Sequence, residues 1–433
     1  MRETAPRLFS LFRRIPAAPA SDVGRVRGAG WFLETLRIAI VTETLPPAQL
    51  NLQPWRYLGD LAGALQSEGH EVSVVTSTEG VQRWIGVPVE RHADRYDYRS
   101  APSLRNVLRT GRFDIGACRL TAGLFFSMPR HPPRDGFRGR LIGIFLRPLH
   151  SGRDLAKRFL DPTLAAEIRH DRHHAALYAS RLLGTWSNAP AYVDRYVFLW
   201  DTDRQCGTAA GLPASSCAVI RHPFDPFFLE RGPPDLGPRL SGILSPARRR
   251  VIFTGPPEGS RGVGDMFRLV HRLPRDPATQ VVLLLRDGAY SKPLIMRTRI
   301  GAHELVVVRG LLSREELRAS YRVSQVAVFP YRFVRTGLPL VALEAVATGL
   351  PVVTTRVHPI RELEGRTGLL FADPANPRDL ARTVQSLFDE GTRERIQRAN
   401  RQWIQMSPDW RSVAKTFVSL SDGTRPPRVR EGS

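Results

Sequence analysis

The sequence predicts an α/β protein made of two successive parallel-sheet units, and three observations predict it. RIAIVTET (37–44) is a short apolar strand. A Pro-containing loop comes next, then the helical spacing of Trp55, Leu58, Leu61, Ala62 and Leu65, then EVSVVTST (71–78). Strand, helix and strand in that order form a βαβ unit, which requires parallel pairing. The pattern restarts at VIFTG (251–255), after a Pro-, Gly- and Arg-rich stretch at 231–250 that reads as a linker. The third observation is size: 433 residues suit two domains, at roughly 100–200 residues each. Two Rossmann-like domains facing each other leave a cleft, the default ligand site of such proteins.

From the start of the chain, residues 1–35 read as a flexible, Arg-rich arm. LFSLFRRIPAAPA has only a short apolar patch before Arg13 and Arg14, which makes a poor signal peptide, and a membrane-surface helix around Leu8–Ile15 is the alternative. Gly69 ends the first helix as a C-terminal cap. FDIGACRL (113–120) and LIGIFLRPLH (141–150) are strand-like, residues 166–184 are helical, RYVFLW (195–200) is a strand, and a helix starts at Asp201. RHPFDPFF (221–228) closes the first domain, 36–230. In the second, 251–405, strands at 280–288, 304–310, 325–331 and 351–355 alternate with helices at 263–273, 315–323 and 377–390. A C-terminal helix and tail occupy 406–433.

Composition narrows the function classes. The net charge is +22, and 60 of the 63 basic residues are arginine. Such a surface attracts phosphates, anionic lipid or nucleic acid. The arginines are spread along the whole chain with no nucleic-acid motif, which argues against a nucleic-acid partner; coding bias accounts for the skew against lysine. Cys118, Cys206 and Cys217 form no CxxC and no disulfide framework, which fits a reducing, cytoplasmic setting. His170, His173 and His174 in HDRHH lack a second ligand pair, so they read as a solvated helix face and not as a zinc site. The sequence contains no run of about 18 apolar residues, the signature of a spanning helix.

The most informative stretch is TGLPLVALEAVATGLPVVTT (336–355), apolar and small except for Glu344. A buried carboxylate is costly without a partner. Pro339 suits the first helical position and Gly349 the C-terminal cap, giving a helix over about 339–348. Glu344 lies beside Leu340, Val341, Ala347 and Thr348 on that helix. Gly337 lets the preceding loop turn its amides outward, and a helix N-terminus binds phosphate readily. Amides for a phosphate and, a turn later, a carboxylate for hydroxyls suit a nucleotide diphosphate-sugar, so a ribose and not a protein group is the expected partner of Glu344.

Residues 36–420 resemble the retaining glycosyltransferases of the GT-B type, specifically the large family-four group, glycosyl transferases group 1. The resemblance is carried by 336–355 followed by HPIREL (358–363) and GRTGLLFADPANPRDLARTV (365–384). It implies that Glu344 binds the ribose hydroxyls, with Gly255, Arg261, Thr336, Gly337 and Leu338 completing the donor site. In that family a second glutamate stands before this one with seven residues between, near the donor sugar; here the position is Thr336. TGPPEGSRG (254–262) resembles the diphosphate loop, where Arg261 keeps one cation and Pro256 replaces the other. Arg332 and Arg335 are candidates to compensate. The Gly pair of the N-terminal loop is replaced by Leu52–Gln53. His150 falls near the family's active-site histidine, and Glu362 matches a frequent acid read as structural.

The implied chemistry is transfer of a sugar with retention. Cations and fixed amides stabilise charge on the departing diphosphate. The acceptor attacks on the leaving-group face, so no dedicated base, metal or other cofactor is needed. The expected catalytic set is Arg261, Glu344 and His150. The acceptor is unknown, and the basic surface points to an anionic glycan or lipid, with peripheral contact at the cytoplasmic membrane face. Thr336 and Pro256 leave a rival reading open: a degenerate GT-B domain that binds a nucleotide-sugar or a partner without turnover.

Overall fold

Short apolar strands, buried on both faces by flanking helices, build two sheets. The computed structural model describes residues 35–42, 45, 54–76, 83–84, 86–91, 101–128, 139–162, 164, 167, 173–244, 249–275, 278–288, 293–335 and 339–422. Met1–Thr35 and Leu36–Ser433 are separate units, and the predicted arm lies outside the described residues except for Thr35. Both sheets belong to the second unit.

The first sheet holds β1 (Arg37–Val41), β2 (Glu71–Thr76), β3 (Arg83–Trp84), β4 (Val87–Arg91), β5 (Ile115–Arg119), β6 (Arg140–Phe145), β7 (Arg195–Phe198) and β8 (Cys217–Val219). Their order is β3-β4-β2-β1-β5-β6-β7-β8. The second holds β9 (Arg249–Gly255), β10 (Thr279–Leu285), β11 (Leu294–Ile300), β12 (His303–Arg309), β13 (Val326–Phe329), β14 (Val352–Thr355) and β15 (Leu370–Ala372), in the order β11-β12-β10-β9-β13-β14-β15. Pairing is parallel except for the edge pairs β3–β4 and β11–β12. In register, Ile38 faces Val72 and Ile115, and Ile252 faces Val282 and Ala327. Strands buried on both sides read as continuous apolar runs, which is why β9, β10, β12 and β13 were legible. β11 differs: it is exposed at nearly every residue, and a partly polar edge strand gives no such signal.

Helices cover these sheets: α1 (Trp55–Ser67), α2 (Ala101–Thr110), α3 (Ala122–Phe126), α4 (Gly152–Leu160), α5 (His173–Leu182), α6 (Asp201–Ala209) and α7 (Pro226–Leu229), then α8 (Gly237–Ser241), α9 (Val263–Val270), α10 (Arg314–Arg322), α11 (Leu340–Ala347), α12 (Pro377–Ser386), α13 (Glu390–Met406) and α14 (Trp410–Asp422). The stretch read as a linker includes α8 and buries Leu240, Ile243 and Leu244. α14 packs back on the first half. Trp410 meets Tyr57 and His222 edge-on, at 5.5 and 5.2 Å between ring centroids, and Arg411 and Lys415 pair with Glu68.

Strand order reverses at β1, which lies between β2 and β5, and at β9, which lies between β10 and β13. Ligands of open parallel sheets bind outside the carboxyl ends of the strands at such switch points. Gly255 ends β9, and Glu344 sits on the helix after β13. Among the described residues no helix is long and apolar enough to cross a membrane.

Candidate functional site

Glu344 is 7% exposed on α11. The helix runs Leu340–Ala347 after Pro339 and is ended by Gly349 at φ +83°, within a residue of the predicted bounds. The structure corrects the expectation that Glu344 has no protein partner. Arg56, in the first turn of α1, donates from Nη1 to its Oε1 at 3.1 Å. Arg56 also donates from Nη2 to Asp225, and its Nε stands 3.6 Å from Asp60. Asp225 caps α7, accepting from Phe227 N at 3.0 Å, and takes Arg314 as a second cation. Burial pushes the Glu344 carboxyl above the ordinary range, and the Arg56 cation opposes it. The signal for Arg56 was faint: one cation at the start of α1, paired at i,i+4 with Asp60.

The loop after β9 sits at the switch point. Gly255 has φ +147° and Gly262 φ +73°, conformations that favour glycine. A Cβ at Gly262 would lie 1.8 Å from the Pro330 carbonyl oxygen, so only glycine lets this loop pass under the end of β13. Arg261 places its guanidinium 5.3 Å from the Tyr331 ring centroid, with Nε 3.7 Å from Glu258. Arg286, which follows β10 and donates its amide to the Gly255 carbonyl at 2.9 Å, brings a second cation that sequence reasoning missed. Burial first, then the neighbouring Arg261 charge, lowers its pKa, and it also feels Glu258 and Glu344. Tyr331 feels the same three charges, Arg261, Glu344 and Glu258. The two predicted residues, Arg261 and Glu344, therefore share one neighbourhood.

The two arginines expected to compensate for Pro256 part company. Arg332 is held bidentately by Asp265, at 2.7 Å to each oxygen, and by Asp161 at 3.2 Å; it is structural. Arg335 reaches Glu258 at 3.1 Å and so belongs to the site's rim. Glu167, from the first half, accepts the Ser260 amide at 2.8 Å and lies 3.8 Å from Arg335. Pro256 offers a carbonyl, which accepts from Glu258 N at 2.8 Å. Thr336, Gly337 and Leu338 lie outside the described residues, as do Leu52–Gln53.

His150 is buried and committed to the backbone. Its Nε2 is 2.8 Å from the Val334 carbonyl, so it donates there, and the ring stacks on Phe333 at 4.0 Å. Burial, then the neighbouring His358, lowers its pKa to about 3. His174 is not on a solvated helix face, as the sequence suggested: it is 2% exposed, with Nε2 3.0 Å from the Arg335 carbonyl. His170 lies outside the described residues. The two imidazoles thus grip consecutive carbonyls just before residues 336–338. Among the described residues no His, Cys, Asp and Glu cluster could hold a metal. Glu362 is structural, in line with the sequence reading. It accepts from the amides of Asp201 and Thr202 at 3.2 and 2.9 Å, capping α6 from the other half, and from Arg221 at 2.7 Å.

Residues 248–390 match the family described as glycosyl transferases group 1. Glycogen synthase of Mycobacterium tuberculosis is 30% identical over 190 residues, covering 42% of this chain and 45% of that protein. D-inositol 3-phosphate glycosyltransferase of Corynebacterium kroppenstedtii is 28% identical over 258 residues, covering 57% and 55%. The chain spans about half the length of the curated relatives it matches. Among solved structures, Anabaena HepE in complex with UDP and glucose superposes with a TM-score of 0.61 at 13% identity, covering 90% of this chain and 100% of that one. WaaG, a glycosyltransferase involved in lipopolysaccharide biosynthesis, gives 0.58 at 13% identity over 89% and 100%. The second unit therefore has the GT-B fold, with the group 1 region in its second half.

Proposed function

We propose that the protein is a glycosyltransferase that moves a sugar from a nucleotide-diphosphate donor to an acceptor with retention of configuration. The observation that carries the proposal is the meeting of Glu344 with Arg261 and Arg286 outside the carboxyl ends of β9, β10 and β13, at the switch point of the group 1 region. The binding of UDP, glucose and UDP-glucose by the structural neighbour HepE supports a donor of this class.

In this reading Glu344 accepts hydrogen bonds from the ribose hydroxyls, and Arg261, Arg286 and Arg335 face the diphosphate. The sugar C1–oxygen bond breaks with its electron pair going to the diphosphate, where fixed cations stabilise it without reorganising. The acceptor oxygen bonds C1 on the same face and passes its proton to the departing phosphate oxygen, so no metal or separate base enters. His150 serves the site through the Val334 backbone. The acceptor is an anionic glycan or lipid, met at a cytoplasmic membrane surface, consistent with the net charge of +22.

Two observations favour the rival, a binding domain without turnover: Pro256 brings no cation, and the Ser260 amide is already taken by Glu167. Calorimetry with UDP-, GDP- and ADP-sugars, with Glu344→Ala and Arg261→Ala alongside, tests the reading. Micromolar binding to one donor, lost in both variants, is expected. Binding to none refutes it.

A further inference from the structure

The Arg56–Glu344 contact ties the first half of the fold to the point where the proposed function seats the ribose, and both side chains are largely buried, at 14% and 9% exposure. Arg56 has no freedom of its own. Asp225 takes Nη2, Asp60 stands by Nε, and Asp225 is fixed in turn by its cap on α7 and by Arg314. Among the described residues Glu344 has no other hydrogen-bond donor, so one carboxylate oxygen is held and the other is not.

We infer that Arg56 is a positioning residue of the donor site, reaching across from the first half to fix the orientation and charge of Glu344 so that its second oxygen accepts the ribose hydroxyls. The inference rests on the nucleotide-sugar reading. Its physical basis is the cost of a buried carboxylate without a cation, which takes up a proton instead. The groups facing Glu344 are Arg56 from α1, Asp225 before α7, Arg314 and Tyr321 from α10, Arg286 after β10 and Tyr331 after β13, with Arg261 beyond Tyr331 and Asp60 coupled to Arg56, Asp225 and Arg314. Burial and Asp225 drive Glu344 toward the neutral acid, whereas Arg56 and Arg314 hold it ionised. Without Arg56, the carboxyl would face Asp225 with Arg314, Arg286 and, beyond Tyr331, Arg261 as the neighbouring cations. A protonated carboxyl has one acceptor oxygen fewer for two hydroxyl donors. The donor site is then composite: nucleotide affinity depends on a side chain of the half that carries no group 1 match.

Calorimetric titration with UDP, GDP and ADP, each paired with its 2′,3′-dideoxy counterpart, between pH 5 and pH 9 tests this. Wild type is expected to prefer the ribonucleotide by about tenfold or more, a ratio set by the hydroxyls alone. The preference should fall away only at the acid end. In Arg56→Met it should nearly vanish at pH 7 and recover as the pH rises, while Glu344→Gln lacks it at every pH. Arg56→Lys, a cation without the guanidinium fork, should keep part of the preference with its midpoint moved upward, and it carries the test if the methionine variant does not fold. Arg314→Met disturbs the same cluster without touching Glu344 and should shift the midpoint less. An Arg56→Met protein with the wild-type preference and the wild-type pH midpoint overturns the inference. So does one that binds the ribonucleotide more tightly than wild type, because Arg56 would then be a competitor for Glu344. Failure of wild type to bind any of the three nucleotides defeats the functional reading itself, and this inference with it.

Discussion

Acid should destabilise this protein through its buried imidazoles, and His150→Gln isolates one of them. The glutamine amide can donate to the Val334 carbonyl in place of Nε2 and has no proton to gain. His150 titrates near 6.5 in the unfolded chain and is held down to about 3 in the fold, by burial first and His358 second. With the folded pKa lowered, the unfolded chain takes up a proton below 6.5 that the folded one refuses. The stability His150 contributes is therefore intact above pH 6.5 and is lost progressively as the pH falls from there toward 3. At about 1.4 kcal/mol per unit, the fall from 6.5 to 5 costs roughly 2 kcal/mol. His174, held well below 6.5, and His222, held to about 4, push in the same direction and are present in both proteins. Urea unfolding at pH 7 and pH 5 measures the difference. Wild type should lose about 2 kcal/mol more than His150→Gln on going to pH 5. Equal losses would refute the assignment of His150 as a buried neutral donor.

Glu362→Ala orphans the Asp201 and Thr202 amides at the start of α6; a loss of about 2–4 kcal/mol in chemical unfolding is expected, and an unchanged unfolding midpoint would contradict it. Gly262→Ala drives a Cβ into the Pro330 carbonyl and should lower stability by about 3 kcal/mol or more, whereas Gly264→Ala, with nothing within 4 Å of the added carbon, should melt at least as high as wild type. Arg332→Met takes from buried Asp265 one of its two cations and leaves Arg268 alone at 3.1 Å, which should cost about 2 kcal/mol while leaving nucleotide affinity unchanged in the folded fraction; a selective loss of affinity would place Arg332 in the site after all.

Much of the fold was legible because buried parallel strands write themselves as apolar runs. VIFTG, QVVLLL and ELVVV needed no further context, and Pro339 and Gly349 bracketed α11 to within a residue. β3, β4 and β11 were not read, since short or exposed edge strands bury too little to impose a pattern. The site divides the same way. Glu344 stood out as one charge in an apolar helix, and Arg261 stood out in a glycine-rich loop after a strand. Arg56 and Arg286 did not, because each is one arginine among 60 and acquires its role only from contacts far along the chain. His174 was misread for a related reason: its helix looks polar, and only the packing of Phe333 and the Arg335 carbonyl against it makes that face an interior one.

Arg261 and Glu344 are proposed to serve transfer from a nucleotide-sugar. The most direct measurement is mass-spectrometric detection of nucleoside diphosphate released from the donor that binds, with envelope extract as acceptor source, for wild type and Arg261→Met. Release together with a new glycosylated product is expected in wild type, and a fall of about a hundredfold or more in the variant, the scale on which removal of a leaving-group cation is felt. Tight donor binding without release in wild type, or equal release in both proteins, would contradict that role.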